Sequence, residues 1–183
     1  MASILFVTWD GGGNLPPALG IAAELQARGE QVRFLGHEQQ RGEIEGRGLR
    51  FEPYRHARAW SSAAPAGGLR GLLTISAMFT DPGPGEDLLA TMEREPADLV
   101  VIDAMLLGAL RAADRAGMRR AVLVHTFYHY LTSHWSRGPI GLTGRLKGQH
   151  PARLWAAADL VLAATLAELD PAARHSLPPK LQY

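Results

Sequence analysis

Three apolar runs end on residues equipped for proton transfer. Ser3–Trp9 (SILFVTW) leads into Asp10, the glycines Gly11, Gly12 and Gly13, and Asn14. Asp98–Asp103 (DLVVID) closes on a carboxylate. Arg120–His125 (RAVLVH) closes on an imidazole, followed by Thr126, Phe127, Tyr128, His129 and Tyr130. Carboxylates and imidazoles are common general acids and bases near neutral pH. A glycine turn lets a ligand approach the backbone, and aromatic side chains supply an apolar wall. The combination describes a cleft for a small molecule. Asp103 also has a structural reading, as the N-cap of a helix expected over Ala104–Ala116, and one carboxylate can both cap and orient.

Two other chemistries fit these residues less well. A dinucleotide fingerprint that began at Gly11 would need glycine at position 16, where Pro16 sits, and Pro16 and Pro17 remove two amide hydrogens from any phosphate nest. Glu38 would have to serve as the ribose-binding acid. A tight strand-to-helix turn with proline near the first helical position explains the same residues, so a nucleotide-cofactor oxidoreductase is the weaker reading. For a metal, His125 and His129 are four apart and would share a helix face, with His134 beyond. No glutamate completes an HExxH pattern and no nearby acid adds a third ligand. These histidines read as a partly polar pocket wall or a surface helix, and no metal is expected. His37, His150 and His175 have no evident role.

Elements of two kinds must position these groups. After the glycine turn, Leu19, Ala22, Ala23 and Leu25 recur at helical spacing from Ala18 until Gly29, and Gln31–Leu35 is the next strand. Strand, turn, helix and strand make a βαβ unit. The alternation continues with a polar helix over Glu38–Glu45, a brief strand over Leu49–Pro53 and the strand Asp98–Asp103. The helix Ala104–Ala116, closed by Gly117, and the strands Arg120–His125 and Leu160–Ala164 follow. Run-like rather than alternating hydrophobicity indicates burial on both faces. The expected fold is therefore α/β, a doubly wound Rossmann-like parallel sheet, whose ligands bind outside the carboxyl ends of the strands. Two stretches break the rhythm and read as functional loops. Residues 55–85 hold Ser61–Gly68 and Asp81–Gly85 around an amphipathic helix Leu69–Phe79, and residues 126–150 are rich in aromatics and histidines.

Composition removes several classes of function. The 183 residues, 46% of them hydrophobic, fit one domain with a substantial core. Basic and acidic residues number 19 and 18, so the electrostatic excess of a nucleic-acid binder is missing. There are no cysteines, which excludes disulfides, thiol nucleophiles, iron–sulfur clusters and Cys-based zinc sites. No apolar run reaches the roughly 18 residues of a membrane span, and the first strand begins without a basic leader. The expectation is a cytoplasmic protein that contacts neither membrane nor nucleic acid.

The order of these segments resembles the N-terminal half of a GT-B glycosyltransferase of the UDP-glycosyltransferase superfamily, of the kind that glycosylates natural products. FVTWDGGGNLPPALGIAAELQARGEQVRFLG, DLVVIDAMLLGALRAADRAG, AVLVH and LVLAATLAELDP carry the resemblance. It spans essentially the whole chain. It implies that residues 1–183 form a single acceptor-binding domain for a small-molecule acceptor. It also implies that the nucleotide-sugar donor binds a C-terminal domain absent from this chain, that the reaction inverts the anomeric carbon without a metal, and that the domain alone is inactive. No cofactor of its own is expected. The unpaired half of such a cleft would expose surface that permits homo-oligomers.

The resemblance also implies a general base. The family commonly uses a histidine in the first turn, oriented by an aspartate that Asp103 matches. The histidine position aligns with Asn14, whose amide can orient a hydroxyl but not deprotonate one. Asp10, Asp103 and His125 are the nearest replacements, and the expectation is that Asp10 or Asp103 carries the role, with Asn14 as the third catalytic residue. A non-catalytic partner or small-molecule-binding module is the alternative that Asn14 favours. For acceptor contacts the same logic points to Trp9, Gly12, Gly13, His56, Trp60, Phe79, His125, Phe127 and Tyr128. Tyr130 and Trp135 add to an aromatic wall suited to a flat, largely apolar acceptor, about half of it expected to be core. Arg55 and Arg58 could meet a polar or acidic group.

Overall fold

The computed structural model describes residues 1–60, 62 and 67–183. Residues 61 and 63–66, most of the Ser61–Gly68 stretch, lie outside that set. The apolar runs form strands because each finds cover on both faces. β1 (Ser3–Val7), β2 (Gln31–Gly36), β3 (Arg50–Pro53), β4 (Leu99–Asp103), β5 (Arg120–Val124), β6 (Leu160–Ala163) and β7 (Leu181–Gln182) make one parallel sheet. Its order is β3-β2-β1-β4-β5-β6-β7. The chain works outward from β1 to β3, then crosses back to β4 on the other side of β1. The gap between the carboxyl ends of β1 and β4 is therefore the topological switch point, where open α/β sheets bind ligands.

Alternate residues of β1 serve opposite layers. Ile4 and Phe6 face α1 (Leu15–Ala27) and α2 (Arg41–Glu45), with Phe6 stacked on Phe34 of β2 at 4.9 Å between ring centres. Leu5 and Val7 join the larger core under α3 (Gly68–Phe79), α4 (Gly83–Arg94) and α5 (Leu107–Arg115). That layer is completed by α6 (Tyr128–Tyr130), which runs on as a π-turn over Leu131–Trp135, and by α7 (Pro139–Leu146) and α8 (Pro151–Ala156).

Several boundaries differ from the sequence expectation for local reasons. α1 begins at Leu15 rather than Ala18, because Pro16 and Pro17 occupy first-turn positions where no intrahelical N–H is needed. Asp103 does not cap α5. Its Oδ1 accepts the Met105 N–H at 2.9 Å and its carbonyl accepts that of Leu106 at 3.1 Å, a tight turn that delays the helix to Leu107. The Asp81–Gly85 break is the start of α4, an entire helix the sequence reading left out. His125 and His129 share no helix face, since His125 follows β5 and His129 lies in α6.

At the amino ends of the strands, opposite the switch point, Arg33 is buried against Glu95 at 2.7 Å, and Arg50 grips the same carboxylate with two 2.8 Å bonds. Hydrogen bonds from Arg50, reinforced by the charge of Arg33, hold the Glu95 carboxyl down at about 2. The stability this adds is present above the ordinary carboxylate range and is lost as pH falls through about 2. Glu95→Ala strands Arg33 without its counter-ion. Because the Glu95 side chain is 44% exposed, the expected loss is about 2 kcal/mol rather than the larger cost of a fully buried pair. Urea unfolding reads it, and a loss under about 0.5 kcal/mol would show that water replaces Glu95.

Candidate functional site

The site grows from the turn after β1. Gly11 stands where a Cβ would lie 2.6 Å from the Trp9 ring and 2.7 Å from the Asn14 side-chain oxygen, so only glycine fits. Gly12 adopts φ +73°, a left-handed conformation glycine accepts without cost. A Cβ on Gly13 would meet nothing within 4 Å. The turn places Asn14, 2% exposed, at the centre of a network. Its amide oxygen accepts the Gly11 N–H at 3.0 Å. Its amide nitrogen donates to the Trp9 carbonyl at 2.8 Å and reaches Thr8 Oγ1 at 3.3 Å and Asp103 Oδ2 at 3.4 Å.

Asp103 arrives from the end of β4 and is almost wholly buried. The neighbouring β5 brings His125 beside it, with Nδ1 2.8 Å from Asp103 Oδ2. Nδ1 is buried and has no better-aligned acceptor, so the contact is an ion-pair approach rather than an in-line hydrogen bond. Burial pulls the imidazole pKa down, but the nearby Asp103 carboxylate outweighs it, chiefly by charge, leaving a net rise from the ordinary value of 6.5.

Asp10 lies at the rim. Its carboxylate accepts the Ser62 N–H at 3.0 Å and the Ser62 hydroxyl at 3.2 Å, and its carbonyl accepts the Trp60 indole N–H at 2.7 Å. The Asp10 N–H donates to His37 Nδ1 at 3.2 Å. Burial lowers the His37 pKa, so that ring accepts as a neutral imidazole. Tyr54 closes the floor, donating its hydroxyl to the Thr8 carbonyl at 2.8 Å. Burial raises the phenol well above its ordinary value, and the carboxylates of Asp87, Asp103 and Asp81 add to the rise.

Two buried carboxylates, neither singled out in the sequence, strap residues 55–58 across this floor. Asp87 of α4 accepts the N–H groups of Arg55, His56 and Ala57 and pairs with His56 Nδ1 at 2.7 Å. Asp81 accepts the Arg58 N–H at 2.7 Å. The only signal in the sequence was the pair of acids flanking the Pro/Gly cluster.

The remaining aromatics divide. Trp9 packs edge-on against Phe79 at 4.9 Å, Trp60 at 6.4 Å and His125 at 6.1 Å. Phe79 continues to Trp135 at 5.6 Å, and both belong to the core. Trp60 is half-buried at the rim. Phe127 and Tyr130 are exposed, and Tyr128 is half-buried with its N–H held by Asp170 Oδ2 at 2.7 Å. Among the expected contacts, Trp9, Trp60 and His125 border Asp10, Asn14 and Asp103. His56 belongs to the strap, and Phe127 and Tyr128 lie on the segment after β5. Among the described residues no cluster of three His, Asp or Glu side chains could hold a metal, and no helix is long and apolar enough to cross a membrane.

This arrangement backs the His125 imidazole with a buried carboxylate, which a buried amide contacts in turn, and sets the half-buried Trp60 indole at the rim. Comparison with known proteins bears on the family and the fold. Residues 12–182 match the family described as Glycosyl transferase 4-like domain. Over 153 residues, 77% of this chain, the sequence is 30% identical to 4'-demethylrebeccamycin synthase of Lentzea aerocolonigenes, of which the match covers 36%. The fold superposes on the glycotransferase of kitacinnamycin with a TM-score of 0.74 at 20% identity, covering all of this chain and 50% of that one. For the calicheamicin glycosyltransferase CalG4 the TM-score is 0.71 at 17% identity, with 52% of that chain covered. The chain thus spans about half the length of these structures and about a third of the curated relative.

Proposed function

The chain belongs to the Glycosyl transferase 4-like domain family, and from that premise we propose that it is the acceptor-binding domain of a natural-product glycosyltransferase. The reaction moves a sugar from a nucleotide-sugar donor to a hydroxyl of a small, aromatic or largely apolar acceptor, with inversion at the anomeric carbon. The observation that carries this reading is the meeting of Asn14, Asp103 and His125 at the switch point, bordered by Trp9 and Trp60. A buried acid and an imidazole suit removal of a hydroxyl proton, and the half-buried Trp60 indole at the rim suits a flat acceptor. The donor binds a second domain beyond this chain, and the site asks for no cofactor or metal of its own. The setting is the cytoplasm, with no membrane or nucleic-acid partner.

The second reading is a small-molecule-binding domain without catalysis, favoured by Asn14, whose amide cannot act as a base. One experiment separates the two. The enzyme that carries this domain, given nucleoside diphosphate sugars and a panel of phenolic and polycyclic acceptors, should release nucleoside diphosphate and add a hexose mass to an acceptor. Asp103→Asn should lower that turnover by about 100-fold or more. Acceptor binding with no sugar transfer would favour the non-catalytic reading.

A further inference from the structure

The next step rests on the glycosyltransferase reading and deepens it. We propose that His125 is the base that takes the acceptor's hydroxyl proton and that Asp103 is its positioning residue, so that the proton acceptor lies at the end of β5 rather than in the turn after β1. Asp103 is badly placed to meet a substrate. It is 2% exposed, its Oδ1 is taken by the Met105 N–H, and its Oδ2 faces both Asn14 Nδ2 and His125 Nδ1. Asp10 spends both oxygens on Ser62. The role expected of these two acids therefore passes to the imidazole beside Asp103.

His125 has the complementary geometry. The carboxylate beside Nδ1 favours a proton there, which leaves the lone pair on Nε2. Nε2, unlike Nδ1, is not a buried orphan, and nothing among the described residues hydrogen-bonds to it. Asp103 is itself held on both oxygens, one through a backbone N–H and the other through Asn14, so the ring is oriented through a fixed partner. Asn14 thus helps to position the aspartate.

The step balances as follows. The acceptor O–H proton passes to Nε2 while the oxygen forms its bond to the anomeric carbon. The bond between that carbon and the diphosphate oxygen breaks, and its electron pair leaves with the nucleoside diphosphate. Asp103 then faces an imidazolium, whose charge it offsets. Among the described residues Asp103 is the charged group set against His125, the neutral Trp9 ring lies edge-on beside it, and the neutral Asn14 amide contacts Asp103. Because that carboxylate favours the protonated ring, the active neutral form is depleted at low pH, and the acid limb of the pH profile should lie above 6.5.

The test uses the enzyme carrying this domain, assayed under saturating donor from pH 5 to 9. His125→Gln should lower kcat by about 10²- to 10⁴-fold with little change in KM, and should erase the acid limb. Asp103→Asn should move that limb to lower pH. His125→Ala should regain activity with added imidazole, a rescue that a misfolded variant would not show. Nitrogen NMR of the imidazole supplies a reading independent of the donor, with His125 neutral as the Nδ1–H tautomer. A His125→Gln enzyme within threefold of wild type, a retained acid limb, or an Nε2–H tautomer overturns the assignment and leaves the glycosyltransferase reading intact. A wild-type enzyme that transfers no sugar overturns both.

Discussion

Gly108→Ala should destabilise the protein by about 3 kcal/mol, at the upper end of what overpacking costs. A Cβ on Gly108 would sit 1.8 Å from the Asp81 carbonyl oxygen, a backbone atom no rotamer change can remove. Gly85 presses back, since a Cβ there would lie 2.8 Å from the Gly108 carbonyl and from Ala112 Cβ. α4 and α5 touch through these glycines, and the methyl can be housed only if the helices part. For a domain of this length the loss corresponds to a melting temperature lower by roughly 6–12 °C. Gly13→Ala is the matched control, because its Cβ would meet open space, and it should move stability by less than about 0.5 kcal/mol. Equal melting temperatures for the two variants would mean that the helix contact is softer than its geometry implies.

Asp87→Ala should cost a similar amount, about 3 kcal/mol, by a different route. The carboxylate accepts three consecutive backbone N–H groups, at 2.9 Å from Arg55, 3.0 Å from His56 and 3.2 Å from Ala57. Alanine leaves these donors unpaired in a setting where Asp87 itself is buried, and each stranded donor carries a desolvation cost of about 1 kcal/mol or more. Asp87→Asn keeps one accepting oxygen and should lose roughly half as much. Hydrogen exchange distinguishes this from a general loss of stability. The amides of residues 55–57 should exchange faster in Asp87→Ala even under conditions where β1 and β4 stay protected. Unchanged exchange at those three amides would sink the strap interpretation.

The sheet was largely legible in the sequence because its strands bury both faces. Runs such as DLVVID and RAVLV need no partner to be recognised, and six of the seven strands stand where the sequence pattern puts them. α4 was hidden because its first turn, Pro82–Gly85, is chosen for contact rather than propensity. Gly83 must admit the backbone of residues 56 and 57, and Gly85 must admit α5. β7 is two residues long and depends on its neighbour β6. Asp103 looked like a helix cap because aspartate caps are common, and its real partners lie 89 residues away at Asn14 and just past the adjacent strand at His125. Such pairings come from strand order, which no local pattern encodes.

The glycine contact between α4 and α5 also acts as a gauge block for the cleft. One wall hangs from Asp81 and Asp87, which hold residues 55–58 and, through them, Trp60 over Asp10. The opposite wall, Asp103, is joined through its turn to α5, and Gly108 of that helix bears directly on the Asp81 carbonyl. Wall-to-wall spacing is thus set by abutting backbones behind the cleft, where tolerances are fractions of an ångström. Altering the rim side chains would recontour the opening and leave its width alone. Widening it for a thicker guest would require rebuilding the seam behind it.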